Sequence, residues 1–209
     1  MTNVKGSKIT SKLSYLTNTY GDGAPAQVLS WLSEDDRKAL GLVLEVGWYP
    51  QDLYVRLLTA ICETVGRGDG GIYGEIGEYS ADHQFNHSYR VYRASDIYQT
   101  LQNMVPVHAK LNQPSGMEVV VNEPGRATLL VTAPPSDPVI CAVSRGFYRR
   151  VMELHGAGDV RVLEPSCSGR GAASCRFEIQ WTPVDAPSPD AVRATGARRP
   201  PPPPEMKHD

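Results

Sequence analysis

The stretch Cys175-Arg176-Phe177-Glu178-Ile179-Gln180-Trp181 alternates apolar and polar side chains without a break, the period of a strand with one face buried and the other in water. Directly before it, Cys167-Ser168-Gly169-Arg170-Gly171-Ala172-Ala173-Ser174-Cys175 sets two cysteines symmetrically about a glycine-rich turn. In a tight hairpin such a pair faces each other. Working outward, Val160 to Cys167 supplies the partner strand, and Gly156-Ala157-Gly158 stops a helix carrying Ile140, Val143, Phe147, Val151 and Leu154 on one stripe. Pro134-Pro135-Ser136-Asp137-Pro138 caps that helix at its start. An earlier hairpin joins Met117 to Asn122 with Ala127 to Ala133 through Glu123-Pro124-Gly125-Arg126. This half reads strand, strand, helix, strand, strand, an α+β unit whose antiparallel sheet packs on helices.

The N-terminal half reads as helices. Ile9, Leu13 and Leu16 recur at helical spacing between Lys8 and Tyr20, and Gly21 ends the run. Val28, Leu29 and Leu32 belong to a second helix. Ser33 caps a third whose first turn holds Glu34, Asp35 and Asp36 and whose apolar residues are Ala39, Leu40 and Val43. Trp48-Tyr49-Pro50 opens the longest stripe, Leu53, Leu57, Leu58, Ile61 and Val65, a central helix with Pro50 in its first turn. Gly66-Arg67-Gly68-Asp69-Gly70-Gly71 matches G-x-G-x-x-G, but it follows a helix rather than a strand and reads as a connector. From Ser95 to Leu111 the residues Ile97, Leu101, Met104, Val105, His108 and Leu111 share a stripe, and Pro106 predicts a kink or local break.

The chain has 209 residues, suited to one well-cored domain over residues 1–182. Between Pro183 and Pro204 lie eight prolines, Pro200 to Pro204 consecutive, so 183–209 is expected to be a disordered proline-rich tail. A net charge of -2 gives no long-range field for nucleic acid or anionic lipid. No apolar run approaches the roughly 20 residues of a membrane span. Met1-Thr2-Asn3-Val4-Lys5-Gly6 carries no signal core, and the expected location is the cytoplasm. Cys62, Cys141, Cys167 and Cys175 are expected to be thiols there. No metal site is expected, because Cys167 and Cys175 lack a close Cys-x-x-Cys pair and His83 and His87 lack a Glu-x-x-His context. Arg145, Arg149 and Arg150 form a basic strip on the helix starting at Pro138, with Glu153 four residues beyond Arg149; a solvated face accounts for it.

The order of these pieces carries a resemblance. Lys5-Gly6 leads a first helix ending at Tyr20-Gly21, Trp48-Tyr49-Pro50 follows, and then come Arg145-Gly146-Phe147, Glu153-Leu154-His155-Gly156-Ala157 and the Cys167 to Trp181 hairpin. Together they resemble the haem-NO-binding and 4-vinyl-reductase superfamily, and most closely a myxobacterial paralogous family of unknown function. Other relatives include hydrocarbon-binding domains and trafficking-complex (TRAPP) subunits. The resemblance covers Lys5 to Trp181 and implies a sheet with helices against it, enclosing an apolar cavity or leaving a dimerisation face. Gas sensors of the superfamily hold haem through one helix histidine, and His108 falls nearest that position. They also clamp the propionates with Tyr-x-Ser-x-Arg, a motif this chain lacks, so haem is disfavoured as a cofactor. By analogy with acylated trafficking relatives, Cys141 or Cys62 is a candidate reactive or acylated thiol.

No catalytic constellation is visible. The expected function is that of a non-enzymatic, self-associating module of bacterial signalling, a homodimer, that accepts an apolar small molecule, a lipid or a protein partner. Leu57, Ile61, Leu101, Met104, His108, Val143, Phe147, Phe177 and Ile179 are the expected lining of its pocket. A purely structural scaffold acting through its surface and through Pro200 to Pro204 is the alternative, and a haem-based gas sensor the third.

Overall fold

The structure, a computed structural model, describes residues 2–94, 96–134 and 137–183. Its elements run β1 (Asn3–Lys5), α1 (Gly6–Tyr20), α2 (Ala24–Trp31), α3 (Glu34–Gly41), β2 (Trp48–Pro50), α4 (Gln51–Thr64), α5 (Ile72–Asn86), α6 (Ile97–Leu111), β3 (Asn112–Gln113), β4 (Gly116–Glu123), β5 (Arg126–Thr132), α7 (Pro138–Leu154), β6 (Ala157–Ser166) and β7 (Cys175–Pro183). The fold is α+β. The expected tail, with Pro200 to Pro204, lies outside the described residues beyond Pro183, which closes β7.

The two C-terminal hairpins join a common sheet of order β4-β5-β7-β6. The join is the antiparallel pairing of β5 with β7, in which Leu129 faces Phe177 and Ala127 faces Ile179. Alternation along β7 puts Cys175, Phe177, Ile179 and Trp181 on the buried face, where α7 and α6 cover them. The last register pair before the β6–β7 turn is Ser166 with Arg176, so Cys167 and Cys175 meet at the end of the ribbon.

Helix starts follow their caps. Ser33 accepts from the Asp36 amide at 3.1 Å and Asp96 from the Gln99 amide at 2.8 Å, each satisfying a donor that a helix leaves free. Gly21 ends α1 at φ 91°, a conformation glycine adopts without strain. α6 continues through Pro106 without the expected break.

Three features depart from the sequence reading. Trp48–Pro50 is not the start of the central helix but a short strand paired with β1, which pairs in turn with β3. These strands are two or three residues long, too short for alternation to register. Residues 72–86 form a helix, although they carry no clean apolar stripe. α5 is instead packed through small residues: a Cβ at Gly77 would strike the Val143 carbonyl, and one at Gly146 the Gly74 carbonyl. α5 and α7 therefore touch backbone to backbone. Finally, two members of the basic strip on α7 pair across this contact, Arg149 with Glu78 and Arg150 with Asp82 at 3.0 Å, in addition to the expected pairing of Arg149 with Glu153 at 3.9 Å.

Candidate functional site

Where α1, α4, α5, α6, α7 and the sheet converge lies a cavity of about 90 Å³. One end is apolar, with Met104, Met117, Val143, Phe147, Tyr148 and Phe177. The other is polar and cationic. Lys8 and Lys12, one turn apart on α1, both reach it. Lys12 is 1% exposed; its ammonium donates to Ser80 Oγ at 2.6 Å and Ser11 Oγ at 3.3 Å. Ser80 spends its own proton on the Ile76 carbonyl at 2.6 Å, so its oxygen is free to accept. Lys8 donates to Asn112 Oδ1 at 2.7 Å. The two ammonium groups share the ring of Tyr54, at 5.1 and 5.4 Å from its centroid.

Neither lysine forms an ion pair with a carboxylate among the described residues. Burial lowers the Lys8 pKa to about 8. Lys12 is pushed well below its ordinary value, first by burial and then by the Lys8 charge. Two further polar atoms of the same wall, the Tyr54 hydroxyl and Gln84 Oε1, are buried without a partner. Such orphans are uncommon in folded proteins.

His108 joins this end through its neighbours. Asn112 Nδ2 approaches His108 Nδ1 at 3.4 Å, and His108 Nε2 lies 2.7 Å from Ser115 Oγ. An amide donor at Nδ1 favours the tautomer with its proton on Nε2, donated to the serine. Burial, and then the Lys8 charge, lower the His108 pKa to about 4.

At the sheet end of the cavity, Cys141 from α7 and Cys175 from β7 reach the wall and meet Cys167 and Glu164. Cys141 Sγ lies 3.4 Å from Cys175 Sγ and 3.6 Å from Cys167 Sγ, and the four donor atoms fall within 4.8 Å of one another. The sulfurs are thiols, not disulfides. Tetrahedral zinc with Zn–S bonds of about 2.3 Å places its sulfurs about 3.8 Å apart, close to these separations. Glu164 has a 3% exposed side chain, gives one oxygen to Arg170 at 3.0 Å and leaves Oε1 buried without a partner. The Ser168 amide and hydroxyl lie 3.3 and 3.2 Å from Cys175 Sγ. The Cys175 thiol is held below its ordinary value by Cys141 donating to it and then by Ser168, while Cys141 as the donor is pushed up. Three thiols and a carboxylate in this arrangement fit a zinc-class ion.

Of the expected lining residues, Met104, His108, Val143, Phe147 and Phe177 face the cavity. Leu57, Ile61, Leu101 and Ile179 are buried in the two cores instead. Cys62 lies in the first core, and Cys141 belongs to the thiol cluster. His83 on α5 and His87 just past its end stack at 4.9 Å and are not part of the metal-capable set found among the described residues. Sequence reasoning missed Lys8, Lys12 and the joining of Cys141 and Glu164 to Cys167 and Cys175. A usable signal was present only for the lysines: they sit among Ile9, Leu13 and Leu16 on a helix that has to be packed on most sides.

No protein-family model matches the chain, and no curated protein matches it in sequence. Solved structures do match in fold. A mutant H-NOX protein from S. oneidensis in the Fe(II) state has a TM-score of 0.68 at 12% identity over 87% of this chain and 97% of its own. The unliganded Fe(II) H-NOX protein from K. algicida gives 0.66 at 12% identity over 87% and 98%. A Tt H-NOX variant gives 0.64 at 16% identity over 87% and 97%. At these identities the likeness establishes the fold. That fold is the one the superfamily resemblance implied, and nothing in the matches supports the narrower myxobacterial resemblance.

H-NOX proteins of this fold hold haem, and for this chain the question turns on the residues of its own cavity. The residues of this cavity nevertheless do not fit haem in the arrangement described. About 90 Å³ is far below the roughly 300–1,000 Å³ of ligand pockets. Both His108 nitrogens are already hydrogen-bonded, and Tyr-x-Ser-x-Arg is absent from the sequence.

Proposed function

We propose that this chain is a non-enzymatic sensing module that binds a small molecule in the cavity and holds a zinc-class ion at Cys141, Glu164, Cys167 and Cys175. One observation carries the reading: Cys141 and Cys175 belong both to the metal-capable set and to the cavity wall. A ligand entering the cavity presses on the side chains that fix the metal, and through them on the junction of α7 with the sheet. The ion's part is to clamp that junction, since a closed four-ligand set leaves no open position for chemistry. Self-association, and recruitment of a protein partner by the segment Pro200 to Pro204, belong to the same reading as the route from binding to signal.

The test is elemental analysis of the protein purified without chelator, together with native mass spectrometry. The expected result is about one zinc per chain, lost in Cys175→Ser and Cys141→Ser. Protein that is folded and metal-free when prepared in zinc-supplemented medium overturns the metal part. The haem-sensor reading is favoured by the fold of the neighbours alone and is separated by colour. A Soret band in protein expressed with added haem precursor, abolished in His108→Ala, would replace the present reading.

A further inference from the structure

We infer that the cavity takes a small organic monocarboxylate, its head held by Lys8 and Lys12 and its apolar body lying against Met104, Val143, Phe147 and Phe177. The inference rests on the small-molecule pocket just proposed and names the class of its ligand.

The argument begins with an imbalance. Two amines sit one turn apart on α1, side chains reaching the same cavity, and no carboxylate among the described residues neutralises either one. A buried ammonium is ordinarily paired, and an unpaired one is destabilising. The protein supplies only neutral partners: Ser80 and Ser11 to Lys12, Asn112 to Lys8, and one face of Tyr54 to both. A ligand anion completes the set. The orphaned Tyr54 hydroxyl gives a carboxylate oxygen a further donor. His108 contributes no acid, because its protons and lone pairs are engaged by Ser115 and Asn112.

The opposite end limits the body. Its side chains are apolar and its volume of about 90 Å³ is below the roughly 150 Å³ of a cavity that admits benzene. Acids of two to four carbons match that size, whereas five-carbon and single-ring acids, each larger than benzene, enter only if the cavity expands. Burial, and for Lys12 also the Lys8 charge, lowers the proton affinity of both lysines, and an anion seated between them would raise it again.

The experiment is isothermal titration of the full chain, with propanoate and 2-methylpropanoate as carboxylates and propan-1-ol and 2-methylpropan-1-ol as neutral partners of the same shape. Carboxylates are expected to bind and the alcohols to bind far more weakly. Lys12→Met and Lys8→Met are expected to weaken carboxylate binding by roughly 10- to 100-fold, the range of a charged hydrogen bond, while leaving the alcohols unchanged. Lys8, half-buried and at the rim of the packed region, serves where Lys12→Met perturbs folding. Alcohols binding as tightly as acids, or carboxylate affinity unchanged in both variants, overturns the anionic class and leaves the pocket standing. Binding of neither class overturns the pocket as well.

Discussion

Lys12 is the residue at which stability and binding pull in opposite directions. A buried amine without a counter-charge binds its proton less tightly than the same amine in the unfolded chain. The unfolded state therefore takes up protons that the folded state refuses, and stability rises with pH across that interval. For Lys8 the interval runs from about 8 to 10.5, a difference of at most about 3 kcal/mol. Lys12 extends it to lower pH. Urea midpoints should climb between pH 7 and 10, and Lys12→Met should both raise the midpoint at pH 7 and flatten the climb; an unchanged slope would show that the ammonium is solvated. His108 acts on the acid side with the same sign. Its pKa falls from 6.5 to about 4 on folding, so its contribution is complete above 6.5 and is lost as pH falls toward 4. His108→Gln should remove that part of the acid-side slope.

The thiol cluster is also decided residue by residue. Only Cys167 and Cys175 were close enough in sequence to be read as a pair. Cys141 is 26 residues from Cys167, and Glu164 reads as one more polar residue on an alternating strand. A metal-capable set drawn from a helix and from both strands at one end of a ribbon has no spacing rule short enough to see in one sequence. Cys141→Ser should abolish zinc binding, whereas Cys62→Ser, in the first core, should leave metal content unchanged.

At the scale of elements, legibility followed length and periodicity. β4, β5, α7, β6 and β7 were readable because each repeats its pattern over at least seven residues. β1, β2 and β3 were not, since strands of two or three residues contain no period. α5 was missed for a different reason. It is buried on several sides, with Ile72, Ile76, Gly77, Ser80, Ala81, Gln84 and Phe85 all inside, so its polar and apolar faces are poorly separated. Its binding partner is also a shape rather than a stripe: the glycines at 77 and 146 permit the close approach to α7. Adding a methyl at either position drives it into backbone that cannot retreat. Gly77→Ala and Gly146→Ala should each destabilise by about 1–3 kcal/mol or more, read as a fall in melting temperature, while Gly74→Ala, where a Cβ meets nothing, should be nearly silent. Ser33→Ala should remove about 1 kcal/mol through loss of the α3 cap.

Across the whole molecule, two buried clusters divide the interior. One is built from α1, α2 and α4, the other from the sheet with α6 and α7. The cavity lies where they meet, which explains why the sequence showed the apolar lining but not its cationic end. Stripes report which residues go inside, and cannot report that two inside faces stop short of contact. Outside, Leu42, Leu44 and Val46 are 67–78% exposed on the loop before β2, an apolar group of the kind that marks association. If the proposed self-association uses it, Leu44→Asp should lower the sedimentation-derived mass to that of one chain without changing the melting temperature. No helix among the described residues is long and apolar enough to cross a membrane.

The three-stranded ribbon of β1, β2 and β3 sets how the interior can be reached. Thr2, just before β1, and Asn112, the first residue of β3, line the cavity, and only a few backbone bonds hold the ribbon together. The α5–α7 seam is closed by contact between main chains and cannot part. With so few pairs to break, this short latch is expected to open readily: its amides should exchange with deuterium sooner than those of the larger sheet, and a guest molecule would slow them by keeping the door shut behind it.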